Sequence, residues 1–205
     1  MKVSSRTDEI HYRLNDRDEI VYVNEVWDLF ALANSGEHLT ATRVLGRPLW
    51  DFITDDTSRR LYRVVLAKVR DDRPVRFDFR CDSPDCRRLL EMEVSRGQHG
   101  STEFRVRTLA KEKRQPQALL DPYRPPSGEL LCVCAWCKRV DMGDRWTEVE
   151  EAVSLLGLPE RSLLPEVTHG ICEDCNARMV ATLSDIEQGA KPVAPAGSGK
   201  NPGSS

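Results

Sequence analysis

Two C-x-x-C pairs constrain this chain more than any other feature: Cys134-Ala-Trp136-Cys137 and, after thirty-four intervening residues, Cys172-Glu-Asp-Cys175. Each pair turns the backbone so that both sulfurs can face one centre. Four thiolates from two such turns match the tetrahedral coordination of zinc, and iron fits the same spacing. The stretch around them must therefore fold about a common point. After Cys175, the positions Ala177, Met179, Val180, Leu183 and Ile186 follow helical spacing. The second pair then opens a helix, whose positive end favours thiolate over thiol. A knuckle, a hairpin through Trp146 and a ligand-bearing helix start together predict a small treble-clef-like zinc domain over residues 129–187, with zinc in a structural role. The best ligand set is Cys134, Cys137, Cys172 and Cys175. Cys132 and His169 are further candidates. Cys132 reads better as a small buried hydrophobe, and His169 as a group bonded to a ligand sulfur.

Other cysteine chemistries fit less well. No apolar leader opens the chain and no run reaches the roughly 18 apolar residues of a membrane span, so a cytoplasmic, reducing location is expected and disulfides are disfavoured. Thioredoxin-like redox chemistry would need a parallel-sheet unit around the first pair, and none is expected around Trp136. Haem attachment needs His directly after the second Cys, where Lys138 and Asn176 stand. A zinc deaminase needs H-x-E and a proline before its pair, and Ile171 occupies both positions. Cys81 and Cys86 read as structural thiols in a strand connection.

Residues 115–128, QPQALLDPYRPPSG, are dense in proline and predict an extended connector. Residues 188–205 have almost nothing to bury and predict a disordered tail. On either side of the connector the charges differ. Residues 1–115 carry 22 Lys and Arg against 20 Asp and Glu, while 129–187 carry 5 against 12. An acidic second half is a poor match to a phosphate backbone, so nucleic acid is an unlikely partner. The expected domains are 8–114, the linker 115–128, and 129–187.

Within the first domain, His11–Leu14 and Ile20–Val23 predict two strands about a turn at Asn15–Asp18. Val26, Leu29, Phe30 and Ala33 predict a helix. A longer helix, capped by Thr54 or Asp55, carries Leu61, Val64, Val65, Lys68 and Val69. Three runs starting at Val75, Leu89 and Phe104 alternate with the period of strands that have one wet face. The expected fold class is α+β, an antiparallel five-stranded sheet with helices on one face, followed by the zinc domain.

The run Asp18-Glu-Ile-Val-Tyr-Val-Asn24 before a helix, then Leu45-Gly-Arg-Pro-Leu-Trp-Asp-Phe-Ile53, a long helix and three strands resembles a PAS domain over about residues 8–112. That resemblance implies a sensory or protein-interaction module able to enclose a small ligand, whose identity it leaves open. The Asn-Cys-Arg tripeptide of flavin-linked light sensors of this family does not occur here. Cys134-Ala-Trp-Cys-Lys-Arg-Val, Trp146 and His169-Gly-Ile-Cys-x-x-Cys175 are similar to a cassette found beside PAS domains in bacterial signalling proteins, departing from it at Glu173, where a proline is common. The expected function is a non-enzymatic signal-transduction adaptor, pairing with itself or with a protein partner through the PAS-like half. The contact is expected in the segment before His11, because the outer sheet face is charged. A zinc-dependent transcriptional regulator and a thiol redox sensor are the alternatives.

Overall fold

The computed structural model describes residues 9–53, 55–121 and 125–187. The expected tail, Thr54 and most of the segment before His11 lie outside them. Strands β1 (Ile10–Leu14) and β2 (Ile20–Val23) form an antiparallel hairpin. Its turn is built by Asn15, whose side-chain oxygen accepts the N–H groups of Arg17 and Glu19 at 2.9 and 3.0 Å, while Asp18 takes a left-handed φ of 62°. Asn24 then caps helix α1 (Glu25–Leu32), accepting from Trp27 N–H, and also accepts from His11 N–H on β1. One side chain thus ties the hairpin to the helix.

A short helix α2 (Ala41–Val44) leads to α3 (Asp56–Arg70), capped by Asp55, whose carboxylate accepts Ser58 N–H at 2.7 Å. Leu61, Val65, Leu66 and Val69 of α3 are buried, whereas Val64, expected in the buried stripe, faces out. Strands β3 (Val75–Arg80), β4 (Cys86–Arg96) and β5 (Thr102–Lys113) complete a five-stranded antiparallel sheet of order β2-β1-β5-β4-β3. Alternation sends Val75, Phe77, Met92, Val94, Phe104 and Val106 inward with Leu14 and Tyr12. On the outer face Arg76 pairs with Glu93, and Arg107 with the buried carboxylate of Glu91. That face is a ladder of ions, as the alternating charges imply.

The second half holds strands β6 (Pro126–Cys134), β7 (Val140–Asp141) and β8 (Trp146–Thr147), helix α4 (Val149–Leu155), strand β9 (Leu164–Gly170) and helix α5 (Glu173–Glu187). Its sheet order is β8-β7-β6-β9. The hairpin through Trp146 is present. The expectation of no parallel unit around Trp136 is corrected: β6 and β9 run parallel, with Val133 opposite His169 and Cys134 opposite Gly170. Pro165 and the short alternation of Leu164–Gly170 hide this strand in the sequence.

The proline-rich segment is packed along part of its length. Ala118–Leu120 form a 3-10 turn, Leu119 is buried with Val133, Val149 and Leu158 in a small core of the second half, and Pro126 already lies in β6. On the opposite face of β6, Cys134 joins Trp136, Cys172, Cys175, Met179 and Leu183 in the same core as the inward face of the first sheet. The two halves therefore share one apolar interior. They also share a polar seam. Arg80 reaches Asp82 and Glu148, the latter at 2.7 Å. Arg114 reaches Asp82 at 3.2 Å and Glu150 at 2.8 Å, and Arg87 reaches Glu150 at 2.9 Å. The Asp82 side chain is fully buried, and its second oxygen accepts Arg88 N–H.

Removing one partner from a buried, hydrogen-bonded ion cluster strands the others, at a cost of about 3–5 kcal/mol. Asp82→Ala should lower the urea-unfolding free energy of the full chain by that amount. A loss below about 1 kcal/mol, the range of exposed pairs, would show that the seam is solvated. Burial pushes the Glu150 carboxyl up, but its own backbone N–H and Arg114 outweigh this and hold it below its ordinary value of 4.5. Its contribution to stability is therefore full above pH 4.5 and is lost as pH falls below it. Glu150→Gln should flatten that acid limb.

Candidate metal centre

Strand β6 delivers Cys134 at its end, and the chain then turns sharply. Lys138 N–H donates to the Cys134 carbonyl at 3.0 Å, Cys134 N–H to the Arg139 carbonyl at 2.8 Å, and Lys138 adopts a left-handed φ of 62°. Ala135 N–H donates to the Gly170 carbonyl at 2.8 Å, fixing this knuckle beside the end of β9. Cys172 immediately precedes α5 and Cys175 lies in its first turn. The four sulfurs converge: those of Cys134, Cys137, Cys172 and Cys175 all lie within 4.8 Å of one another. The Cys137 and Cys172 sulfurs are 3.7 Å apart. A tetrahedral ion with metal–sulfur bonds of about 2.3 Å sets its ligand sulfurs about 3.8 Å apart, so the cluster has the dimensions of a four-thiolate site.

The electrostatics point the same way. Hydrogen bonds from the Cys137 and Cys175 sulfurs, and from the Cys172 backbone N–H, hold the Cys134 thiol far below its ordinary value. Donation to Cys134 and Cys137 holds Cys175 high, while burial pushes Cys172 up to about 11, helped by the nearby Cys134 and Cys137. Charge placed on one sulfur thus suppresses charge on its neighbours. A divalent cation at the centre removes that conflict. Two guanidinium groups help. Arg178 donates to the Cys175 sulfur at 3.0 Å, and Arg139 lies against Cys137 while pairing with Asp174 at 2.9 Å. Arg178, three residues after Cys175 on α5, is missed by the sequence reading; its i+3 position is the signal that would have found it. The Lys138 ammonium donates to the Ala135 carbonyl at 3.1 Å.

His169 and Cys132 do not join the cluster. His169 is exposed on β9, and burial of part of its ring together with the Lys138 ammonium lowers its pKa from 6.5. Cys132 points at Gly170, where an added Cβ would lie 2.9 Å from its sulfur, so a side chain there would displace the thiol. Cys81 and Cys86 are free thiols at the two sides of the β3–β4 turn, and burial pushes Cys81 up. Trp136 reaches into the first half. Its ring packs on Tyr62 and Phe77 of the first sheet's core, with centroids 6.0 and 6.1 Å away. Beside it, Arg80 N–H on edge strand β3 donates to the Trp136 carbonyl at 2.6 Å, so the knuckle covers part of an otherwise open edge.

No family model and no curated protein matches the chain. Among solved structures, the PAS domain of Bordetella pertussis BvgS is 13% identical, with a TM-score of 0.35, over 50% of this chain and 74% of that one. A C-terminal domain from Streptococcus mutans is 12% identical, with a TM-score of 0.36, over 50% of this chain and 76% of that one. A domain of an HTR-like protein from Haloarcula marismortui is 10% identical, with a TM-score of 0.33, over 51% of this chain and all of that one. No helix among the described residues is long and apolar enough to cross a membrane.

Replacing Cys134, Cys137, Cys172 or Cys175 with Ser should abolish stoichiometric metal binding, measured by native mass spectrometry of protein purified under reducing conditions. Cys81→Ser and Cys132→Ser should retain it. Because the ligands must be thiolates, acid should release the ion with proton uptake. Equal metal content in all six variants would refute the assignment.

Proposed function

We propose that the chain is a non-enzymatic sensory adaptor in signal transduction, in which a PAS-like module at residues 8–114 is joined to a zinc-stabilised, treble-clef-like module at 129–187 belonging to the C-x-W-C-K…H-G-I-C-x-x-C cassette. The shared core carries this reading. Trp136 is flanked by two metal-ligand candidates and yet packs on Tyr62 of α3 and Phe77 of β3. A change in the first sheet or α3 is therefore felt at the knuckle, and a contact-mediated output follows by population shift between two arrangements. Four thiolates close a tetrahedral ion and leave no position for a substrate, which favours a structural over a catalytic ion. A reducing cytoplasm suits such a site.

Output by contact needs a surface. The ion ladder on the outer sheet face disfavours self-association there. Helix α1 instead exposes Leu29 and Leu32, 68% and 54% accessible, close in sequence to Val21 on edge strand β2. Pairing with a second copy or a partner through this side is the arrangement we favour. Sedimentation of the full chain at about 100 μM, well above most regulatory affinities, should show a dimer that Leu29→Glu with Leu32→Glu converts to monomer. A wild-type protein that is strictly monomeric at that concentration would exclude self-pairing through α1.

A further inference from the structure

Between the knuckle and the first sheet, at the edge of the shared core, lies a cleft of about 270 Å³. Phe52, Phe77, Phe79 and Tyr62 form its apolar walls, and Ala135 and Trp136 of the knuckle close it from the other side. Two polar groups on its lining are buried without a hydrogen-bond partner: Ser58 Oγ, on a residue 3% exposed, and Trp136 Nε1, on a residue 7% exposed. Leaving such groups unpaired is unfavourable, so a partner from outside the fold would relieve both. The two indoles of the first half need none. Trp27 Nε1 donates to the Leu39 carbonyl at 2.6 Å and Trp50 Nε1 to Asp18 at 3.1 Å.

The chemistry of that partner follows from the groups themselves. Trp136 Nε1 is a donor only, so it requires an acceptor atom. Lys138, with its ammonium 3.1 Å from the Ala135 carbonyl, stands on the same lining and adds positive charge. Asp55 is also there, but its carboxylate is engaged as the cap of α3. Arg80 is occupied by Asp82 and Glu148. His169 lies at the rim on β9. Flat apolar walls suit a ring, and a cavity of about 150 Å³ already accommodates benzene. The volume here leaves room for one ring and a small polar substituent.

We propose that this cleft is a binding site for a small aromatic acid or related single-ring carbonyl compound, its ring between the phenylalanines, its oxygen accepting from Trp136 Nε1 and Ser58 as these two side chains turn toward it, and its charge facing Lys138. The site rests on the sensory reading for its purpose but not for its existence, since it is assembled from both modules and reports on either. Occupancy would fix the rotation of Trp136 and thereby the knuckle that carries Cys134 and Cys137.

The test is a titration of the full, metal-loaded chain with benzoate and, separately, benzamide, followed in nitrogen–proton correlation spectra of the indoles. Trp136→Phe assigns the resonance, and Trp27 and Trp50 serve as internal controls of folding. Up to about 10 mM, where even millimolar affinity saturates, both probes should move the Trp136 indole proton downfield and leave Trp27 and Trp50 in place. Lys138→Met, a change at a partly exposed side chain, should weaken benzoate about tenfold or more, as expected for a charged hydrogen bond, and leave benzamide unchanged. Ser58→Ala should weaken both by a few-fold. An unmoved Trp136 indole with both probes, or benzoate binding indifferent to Lys138→Met, would overturn the proposal. Either result leaves the sensory reading standing, because that reading is tested by sedimentation, which reads no indole. A monomeric chain that still binds benzoate would contradict only the self-pairing.

Discussion

Four sulfurs within 4.8 Å of one another are the tightest constraint in this molecule. They cannot all ionise side by side without a cation, and they cannot separate without pulling apart the end of β6 and the start of α5. Those two points fix much else. Holding Cys134 and Cys137 in one turn forces Lys138 into a left-handed conformation and turns Trp136 outward, toward Tyr62 and Phe77. Holding Cys172 and Cys175 at the head of α5 lays Met179 and Leu183 into the core of the first sheet. The four-cysteine cluster is thus the hinge pin between the two halves.

Charge completes the joint. The first half supplies Arg80, Arg87 and Arg114, and the second supplies Glu148 and Glu150, with Asp82 buried among the arginines. The acidity of residues 129–187 repels phosphate, but here it meets arginine across the seam. Desolvated, multiply bonded ions of this kind give specificity of docking more than net stability. They set one orientation of the knuckle against edge strand β3 while Trp136 supplies the apolar contact. The cleft with its unpaired Ser58 and Trp136 groups lies where this docking leaves the two surfaces incompletely filled.

Local regularity made much of this legible in the sequence. The strands of the first sheet each have one wet face, so Val75, Phe77 and Phe79 alternate visibly with charges, and α3 announces itself through Asp55 and its buried stripe. The convergence of Cys134, Cys137, Cys172 and Cys175 was legible because C-x-x-C spacing is itself geometry. What escaped depends on contacts distant along the chain. Strand β9 pairs in parallel with β6 and carries Pro165, so neither turn chemistry nor alternation marks it. The prolines of 115–128 suggested an extended connector, yet Leu119 is buried in one cluster with Val133 and Val149. Nothing in the neighbours of Trp136 foretells that its ring packs on Tyr62. The cleft draws on residues from Phe52 to His169, and no window of sequence contains it.

The central claim is that metal cluster and first sheet form one cooperative body. Amide hydrogen exchange of the full chain, before and after removal of the ion with a chelator, tests it most directly. If the core is shared, exchange should accelerate in α5 and also in β3, Val75–Arg80, and in α3, Asp56–Arg70. Unchanged protection in β3 and α3 alongside free exchange in α5 would show that the first module stands alone, and would contradict the claim.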